Sequence, residues 1–424
     1  MNIVLMLILI YKKNHLTKNP RYISMPRDNF LDRYVNALPG VSDTDVNTIR
    51  SMIGRFNLHT KEFHQYFDET KEMLKQVFQT KNPVVCLTGS MRLAFDAIVS
   101  NAIEPGEKGL VLSNGYWGNY YPKVIESYRG KPIVYEENHR LPINPDKVKE
   151  FLERNSDLKA VAVVHVETDT GIVNNISEIG EIVRKESDAL FIVDCATSFG
   201  GMEVKVDDWG ADFCFSGSHK CIASPVGLVF VTVSDRGWDV IQKRKEPILG
   251  VYNNLLPWKE KIPRECEPPL PTMIIHAVRN TLEWMLSMGI KEAYKLHEIA
   301  ALALRTSLIE LGLELFPDCT KCDGCTSPNK FCSDVVTTLP YPSGVNPNEV
   351  ERIMGERYHL SVIPEAYRQD ALHFGTINDL QISPDHIIKL VTCFGLTLSE
   401  LGVKVNLEQS IRKAYEVLLK QKRI

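Results

Sequence analysis

The chain has 424 residues, 44% of them hydrophobic, with 49 Lys and Arg against 53 Asp and Glu for a formal net charge of −4. That length supports two domains with substantial cores, and the near-balanced charge, without runs of one sign, excludes the basic stripe of a nucleic-acid binder. Its 10 cysteines are not spaced like a small secreted disulfide scaffold, so a reducing, cytoplasmic setting is expected.

The opening run MNIVLMLILI is apolar but shorter than the roughly 20 residues a membrane span needs. Lys12 and Lys13 follow it rather than precede it, unlike a secretory signal. Residues 1–34 therefore read as an appendage, with Met25 an alternative start to Met1. From Lys61 to Gln79, the residues Phe63, Phe67, Leu74, Val77 and Phe78 recur at helical spacing, and Asn82-Pro83 stops the helix. Strand-forming runs follow at Val84–Leu87, Gly109–Leu112, Pro132–Glu136, Lys159–His165, Ala189–Asp194, Asp212–Phe215 and Gly227–Val233, with amphipathic segments such as Ile176–Glu186 between them. This alternation predicts βαβ units. The run Ala160–Val164 is apolar on both faces, as a parallel strand covered by helices on each side should be. The fold class is α/β, with a doubly wound, mainly parallel sheet. A proline-rich crossing loop is expected between Lys243 and Pro271, then a helix over Thr272–Met288. Residues 35–288 make the large domain, and 289–424 a smaller α/β domain with short strands such as Asp334–Thr338.

Asp194 closes the run Leu190-Phe191-Ile192-Val193, and Lys220 follows another strand in Ser216-Gly217-Ser218-His219-Lys220. Both belong at the carboxyl edge of one sheet, where open α/β sheets bind ligands. A partly desolvated lysine there loses its proton and attacks an aldehyde to give a Schiff base. A carboxylate beside it keeps the pyridine nitrogen of pyridoxal 5′-phosphate (PLP) protonated, making the ring an electron sink. A phosphate cradle is supplied by Leu87-Thr88-Gly89-Ser90-Met91-Arg92, where a strand ends and the helix Leu93–Asn101 begins. Open N–H groups and the helix dipole favour an anion at such a point. Ser90 adds a hydroxyl and Arg92 a charge. Trp117, in Ser113-Asn114-Gly115-Tyr116-Trp117-Gly118, directly follows a strand and is placed to face the ring. Thr168, in His165-Val166-Glu167-Thr168-Asp169-Thr170-Gly171, enters the same crevice. Taken singly, these are more often a turn, a cap or a core aromatic. Their order and spacing shift the balance toward the cofactor reading.

Together with Gln76-Val77-Phe78-Gln79-Thr80-Lys81-Asn82-Pro83, these motifs run in the order found in the class V aminotransferases. The chain resembles that family from about residue 35 onward, closest to its alanine:glyoxylate (serine:pyruvate) branch, and the likeness weakens after Val233. The resemblance implies the PLP-dependent transferase fold type I. It implies that Lys220 forms the internal aldimine, Asp194 binds the ring nitrogen and Trp117 stacks on the ring. Ser90, Met91, Arg92 and His219 then contact phosphate, and Thr168 lies near the cofactor. A homodimer with sites at the subunit interface is implied too. Two departures stand out. Where the family places a Leu-Arg-x-Gly segment for the substrate carboxylate, this chain has Leu372-His373-Phe374-Gly375. A mostly neutral imidazole does not replace a bidentate guanidinium. Either Arg368 takes that task, or the substrate is not an ordinary α-amino acid, or the reaction is not a transamination. In addition, Cys266 and Pro269 stand where the family offers tyrosine and threonine from the partner subunit to the phosphate, with Tyr252 as a compensating candidate.

A polar insertion, Asp318–Ser333, carries Cys319, Cys322, Cys325 and Cys332. Four thiols at this spacing suit tetrahedral zinc ahead of an iron–sulfur cluster. The alternative is a loop of free thiols or a redox disulfide pair. The remaining cysteines discussed, Cys86, Cys195, Cys214, Cys221 and Cys393, lie in or beside apolar segments and are expected to be buried.

The leading expectation is an aminotransferase carrying an amino group from an alanine- or serine-like donor, or a related amine, to a 2-oxo acid. The alternatives are a desulfurase-like lyase or decarboxylase on the same fold, and a non-catalytic metal-binding homodimer.

Overall fold

The computed structural model describes residues 34–54, 57–259, 270–321, 331–363 and 370–419. Met1, Met25, Cys266, Pro269, Cys322, Cys325 and Arg368 lie outside the described residues. The first long helix, α1 (Lys61–Phe78), starts where the Thr60 side chain accepts the Phe63 N–H. It ends at Gln79, which takes a left-handed conformation, and it buries Phe63, Phe67, Leu74, Val77 and Phe78. This is the stripe the spacing predicts.

Seven strands form the main sheet: β1 (Val84–Gly89), β2 (Lys108–Ser113), β3 (Lys131–Glu136), β4 (Leu158–Val164), β5 (Leu190–Asp194), β6 (Phe213–Gly217) and β7 (Gly227–Val233). Their order is β1-β7-β6-β5-β4-β2-β3. Only β7 runs antiparallel to its neighbours β1 and β6, while β6-β5-β4-β2-β3 pair in parallel. All seven predicted strands are present. Alternate residues serve opposite faces, as the pleat requires. Val161 and Val163 of β4 join the core beneath α1, and Ala160, Ala162 and Val164 join the core that contains Phe95 and Phe215. Burial on both faces explains why β4 and β5 read as continuous apolar runs.

The predicted helix after β1 begins two residues early, as α2 (Met91–Ala102). The region expected as an irregular crossing loop contains a short helix, Leu256–Lys259. Helix α3 (Thr272–Met288) has its predicted bounds. Gly289, at φ +92°, turns the chain directly into α4 (Ile290–Glu310). A positive φ of this kind suits a residue without a Cβ. A third core follows, built on Leu304, Met354, Leu360, Phe374, Leu390 and Phe394. It packs on β8 (Val336–Pro340) paired antiparallel with β9 (Ala371–Gly375). Strand β8 lies two residues beyond the predicted Asp334–Thr338.

The segment before α1 links this third core to the main sheet. Val35–Asn36 pairs in parallel with Leu360–Ser361, and the Gly375 N–H donates to the Ala37 carbonyl at 2.8 Å. Further along, the Ser42 N–H donates to the His219 carbonyl at 2.9 Å, and its hydroxyl donates to the Lys220 carbonyl at 2.6 Å. No helix among the described residues is long and apolar enough to cross a membrane.

Candidate active site

Strands β1, β2, β4, β5 and β6 all end at one edge of the sheet, which gathers the loops carrying the predicted residues. Lys220 lies three residues past β6 and is 6% exposed. Its Nζ donates to Thr168 Oγ1 and to Thr197 Oγ1, each at 2.8 Å. The two hydroxyl oxygens are themselves 2.6 Å apart. Burial pulls the lysine down to about 8, against the opposing pull of Asp194. An amine so placed is far closer to its neutral, nucleophilic form than an exposed lysine.

Asp194, the last residue of β5, is 2% exposed and accepts the Ala196 N–H at 2.8 Å. Burial raises its carboxyl to about 7, while the Ala196 N–H and Lys220 oppose the rise. A cationic partner at its outer oxygen would restore the carboxylate. The cleft between these groups is walled by Met91, Phe95, Trp117, Val164, Ala196 and His219. Trp117 stacks on Phe95 at an interplanar angle of 19°, with centroids 5.9 Å apart. His219 is held near 4 by burial and by the Lys220 charge, so its imidazole is neutral.

Ser90 is the N-cap of α2, is exposed, and makes no capping bond with its own side chain. The first N–H groups of α2 therefore remain open to an anion. Gly217 lets this helix end approach the lysine loop, since a Cβ there would stand 2.6 Å from Met91 Sδ. Arg92 is brought to the helix end but its guanidinium lies over the Tyr120 ring, 5.3 Å from the centroid, rather than in the cleft wall. Tyr252, which follows β7 on the long loop, donates its hydroxyl to the Thr88 carbonyl at the same edge.

The structure separates one predicted residue from this group. His373, in β9, is fully buried, and its Nε2 meets the Asp169 carbonyl oxygen at 2.7 Å. That contact ties β9 to the loop after β4. The cysteine insertion also departs from expectation. Cys319 is disulfide-bonded, and the thiol of Cys332, which is not part of that disulfide, lies 3.3 Å from its Sγ. A cystine sulfur is not the thiolate that zinc or an iron–sulfur cluster takes. Among the described residues no three His, Cys, Asp or Glu side chains converge as a metal site. The buried setting expected for Cys86, Cys195, Cys214, Cys221 and Cys393 is observed.

Sequence reading missed Thr197, Glu167 and the Gly40–Ser42 segment. The signal for Thr197 was its place in Asp194-Cys195-Ala196-Thr197, one turn beyond the aspartate. The contact of Ser42 with Lys220, 178 residues apart, had no local signal.

These residues fit PLP. The cleft has aromatic and aliphatic walls, a buried carboxyl whose raised pKa favours a cationic partner, an amine whose pKa is lowered by burial and an open helix end for phosphate. The family model for class V aminotransferases matches residues 42–325. This chain is a class V aminotransferase. An uncharacterised aminotransferase of Methanocaldococcus jannaschii is 35% identical over 85% of this chain and 91% of its own length. The (S)-ureidoglycine–glyoxylate transaminase of Bacillus subtilis is 29% identical over 76% of this chain and 80% of its own. The solved ureidoglycine–glyoxylate aminotransferase of Bacillus subtilis superposes at a TM-score of 0.83, with 25% identity over 94% of this chain and 99% of that one. The aminotransferase thus has the fold type I architecture of the PLP-dependent transferases and catalyses PLP-dependent amino transfer.

Proposed function

We propose that this aminotransferase moves the amino group of a small donor of the alanine or serine type to a 2-oxo acid such as glyoxylate. The observation that carries the reading is the Lys220 amine held by two hydroxyls at 2.8 Å beside a buried carboxyl, in a cleft walled by Trp117 and Phe95. Relatives named as transaminases of glyoxylate support the acceptor class. PLP, when bound, supplies an electrophilic aldehyde and an electron sink. Lys220 would hold it covalently, Asp194 would hold the proton on its ring nitrogen, and Trp117 would cover one face. Ser90, the N–H groups of Met91 and Arg92, and His219 would meet its phosphate.

Within that arrangement Lys220 Nζ takes the proton from the donor's α-carbon and returns it as the oxo product forms. Thr168 and Thr197 accept its N–H bonds and keep the amine over the reacting carbon. Trp117 and Phe95 exclude water from the same space.

The proposal extends to a homodimer with a cytoplasmic location, with residues 35–288 as the cofactor-binding body and 289–424 as the smaller one; the separate third core supports that division. For the cysteine insertion we read a redox disulfide in place of a metal, on the disulfide at Cys319. The carboxylate partner of the substrate is assigned to Arg368 rather than to buried His373. The test is the absorption spectrum of the purified holoenzyme with and without L-alanine. Conversion of the lysine-bound cofactor to its amine form is expected. A cofactor band that ignores alanine, serine and glycine would overturn the donor class and favour a lyase, which needs no 2-oxo acceptor.

A further inference from the structure

Two buried carboxyl groups stand beneath the Trp117 loop, and the mechanism above leaves them without a task. Glu167 is fully buried and Asp169 is 3% exposed. Glu167 Oε1 accepts the N–H groups of Trp117 at 3.2 Å and Thr168 at 3.1 Å, and its Oε2 accepts the Gly118 N–H at 2.9 Å. Gly115 lies directly over the pair, since a Cβ there would stand 2.3 Å from both Asp169 Oδ1 and Glu167 Cγ. Like charges this close in a dry interior cannot both persist, so such a pair shares one proton.

The hydrogen bonds decide which carboxyl carries it. Both oxygens of Glu167 are engaged as acceptors by three backbone donors, which is how a carboxylate is solvated inside a protein. Burial and the neighbouring Asp169 raise the Glu167 carboxyl, and the Gly118 and Trp117 N–H groups oppose that rise. A proton on Glu167 would weaken all three of these bonds, whereas on Asp169 it can be donated to the remaining lone pair of Glu167. We propose that Glu167 and Asp169 form a positioning dyad, with Glu167 ionised and Asp169 as the carboxylic acid, that fixes Trp117 against the cofactor and Thr168 against Lys220. The dyad thereby joins the ring platform to the lysine's holder. Independently of the carboxyl pair, the backbone carbonyl of Asp169 meets Nε2 of His373 on β9. The charged and titratable groups facing the dyad are Lys220, Tyr121 and, at the Asp169 backbone carbonyl, His373. Of these, Lys220 offers the ionised Glu167 an opposite charge.

The inference rests on the proposed function only in taking Trp117 as the cofactor platform. The test compares Glu167→Gln with Asp169→Asn in the holoenzyme. An amide at Asp169 still donates to Glu167, so Asp169→Asn should retain cofactor absorption and activity within a few-fold. At Glu167, an amide presents N–H groups to backbone donors. That variant should lose about tenfold to a hundredfold in cofactor retention, the scale of a lost hydrogen bond to a charged group. Difference infrared spectroscopy gives a readout independent of activity. The carbonyl stretch of a buried carboxylic acid should vanish in Asp169→Asn and persist in Asp194→Asn. Should Glu167→Gln fail to fold, the infrared comparison alone decides. The proposal is overturned if the stretch survives Asp169→Asn, or if Asp169→Asn is as damaging as Glu167→Gln. A holoenzyme that shows the dyad's stretch but ignores small amino acids would instead count against the donor class and leave the dyad intact.

Discussion

Replacing Thr197 by Val keeps the shape of the side chain but removes one of the two hydroxyl acceptors that Lys220 Nζ uses at 2.8 Å. Both residues are buried, so water does not take the vacated place. A hydrogen bond to a charged group contributes roughly 1.5–3 kcal/mol, equivalent to about a tenfold to hundredfold change in rate if it orients the amine in the transition state. Thr168 still holds Nζ, so the lower half of that range is expected. Neutral hydroxyl acceptors favour the ammonium form. Their loss should therefore lower the lysine pKa further below its already depressed value in the cofactor-free enzyme. The assay is a single-turnover half-reaction with L-alanine followed by cofactor absorbance across pH, for Thr197→Val and Thr197→Ser. The Val variant should lose kcat with little change in KM, and the Ser variant should recover it. Wild-type kcat in Thr197→Val would refute the idea that this hydroxyl positions the amine.

Asp194→Asn should bind PLP more weakly while making the cofactor-free enzyme more stable above neutral pH. The carboxyl is raised to about 7 in the fold, chiefly by burial. Its stabilising protonated form is thus present below the ordinary carboxylate range and lost as pH rises toward 7. Thermal melts of both proteins from pH 4 to 8 test this, and parallel curves would contradict it. Gly375→Ala should cost about 1–3 kcal/mol, because a Cβ there would stand 2.4 Å from the Leu38 carbonyl. Chemical denaturation measures that cost, and an unchanged midpoint would mean the segment before α1 is held elsewhere. Treating the native protein with a chelator should leave its melting temperature unchanged, whereas a reductant should expose additional alkylatable cysteine at Cys319. Mass spectrometry of the labelled protein distinguishes the two, and destabilisation by the chelator alone would restore a metal to that loop.

Local patterning determined much of this enzyme. Continuous apolar runs such as Ala160–Val164 announce parallel strands buried on both faces, and the order of Thr88-Gly89-Ser90, Trp117, Thr168, Asp194 and Lys220 places all five at one sheet edge. Those features are legible because pleat, helix period and βαβ connectivity each act over a few residues. The tertiary structure alone decided what each side chain meets. Arg92 turns to Tyr120, His373 is buried on the Asp169 carbonyl, and Ser42 reaches the lysine loop across most of the large domain. The same holds for the Glu167–Asp169 pair and for the lowered pKa of Lys220. Such contacts depend on distances between residues far apart in sequence and on how completely water is excluded from them, and neither is encoded in any short stretch of chain.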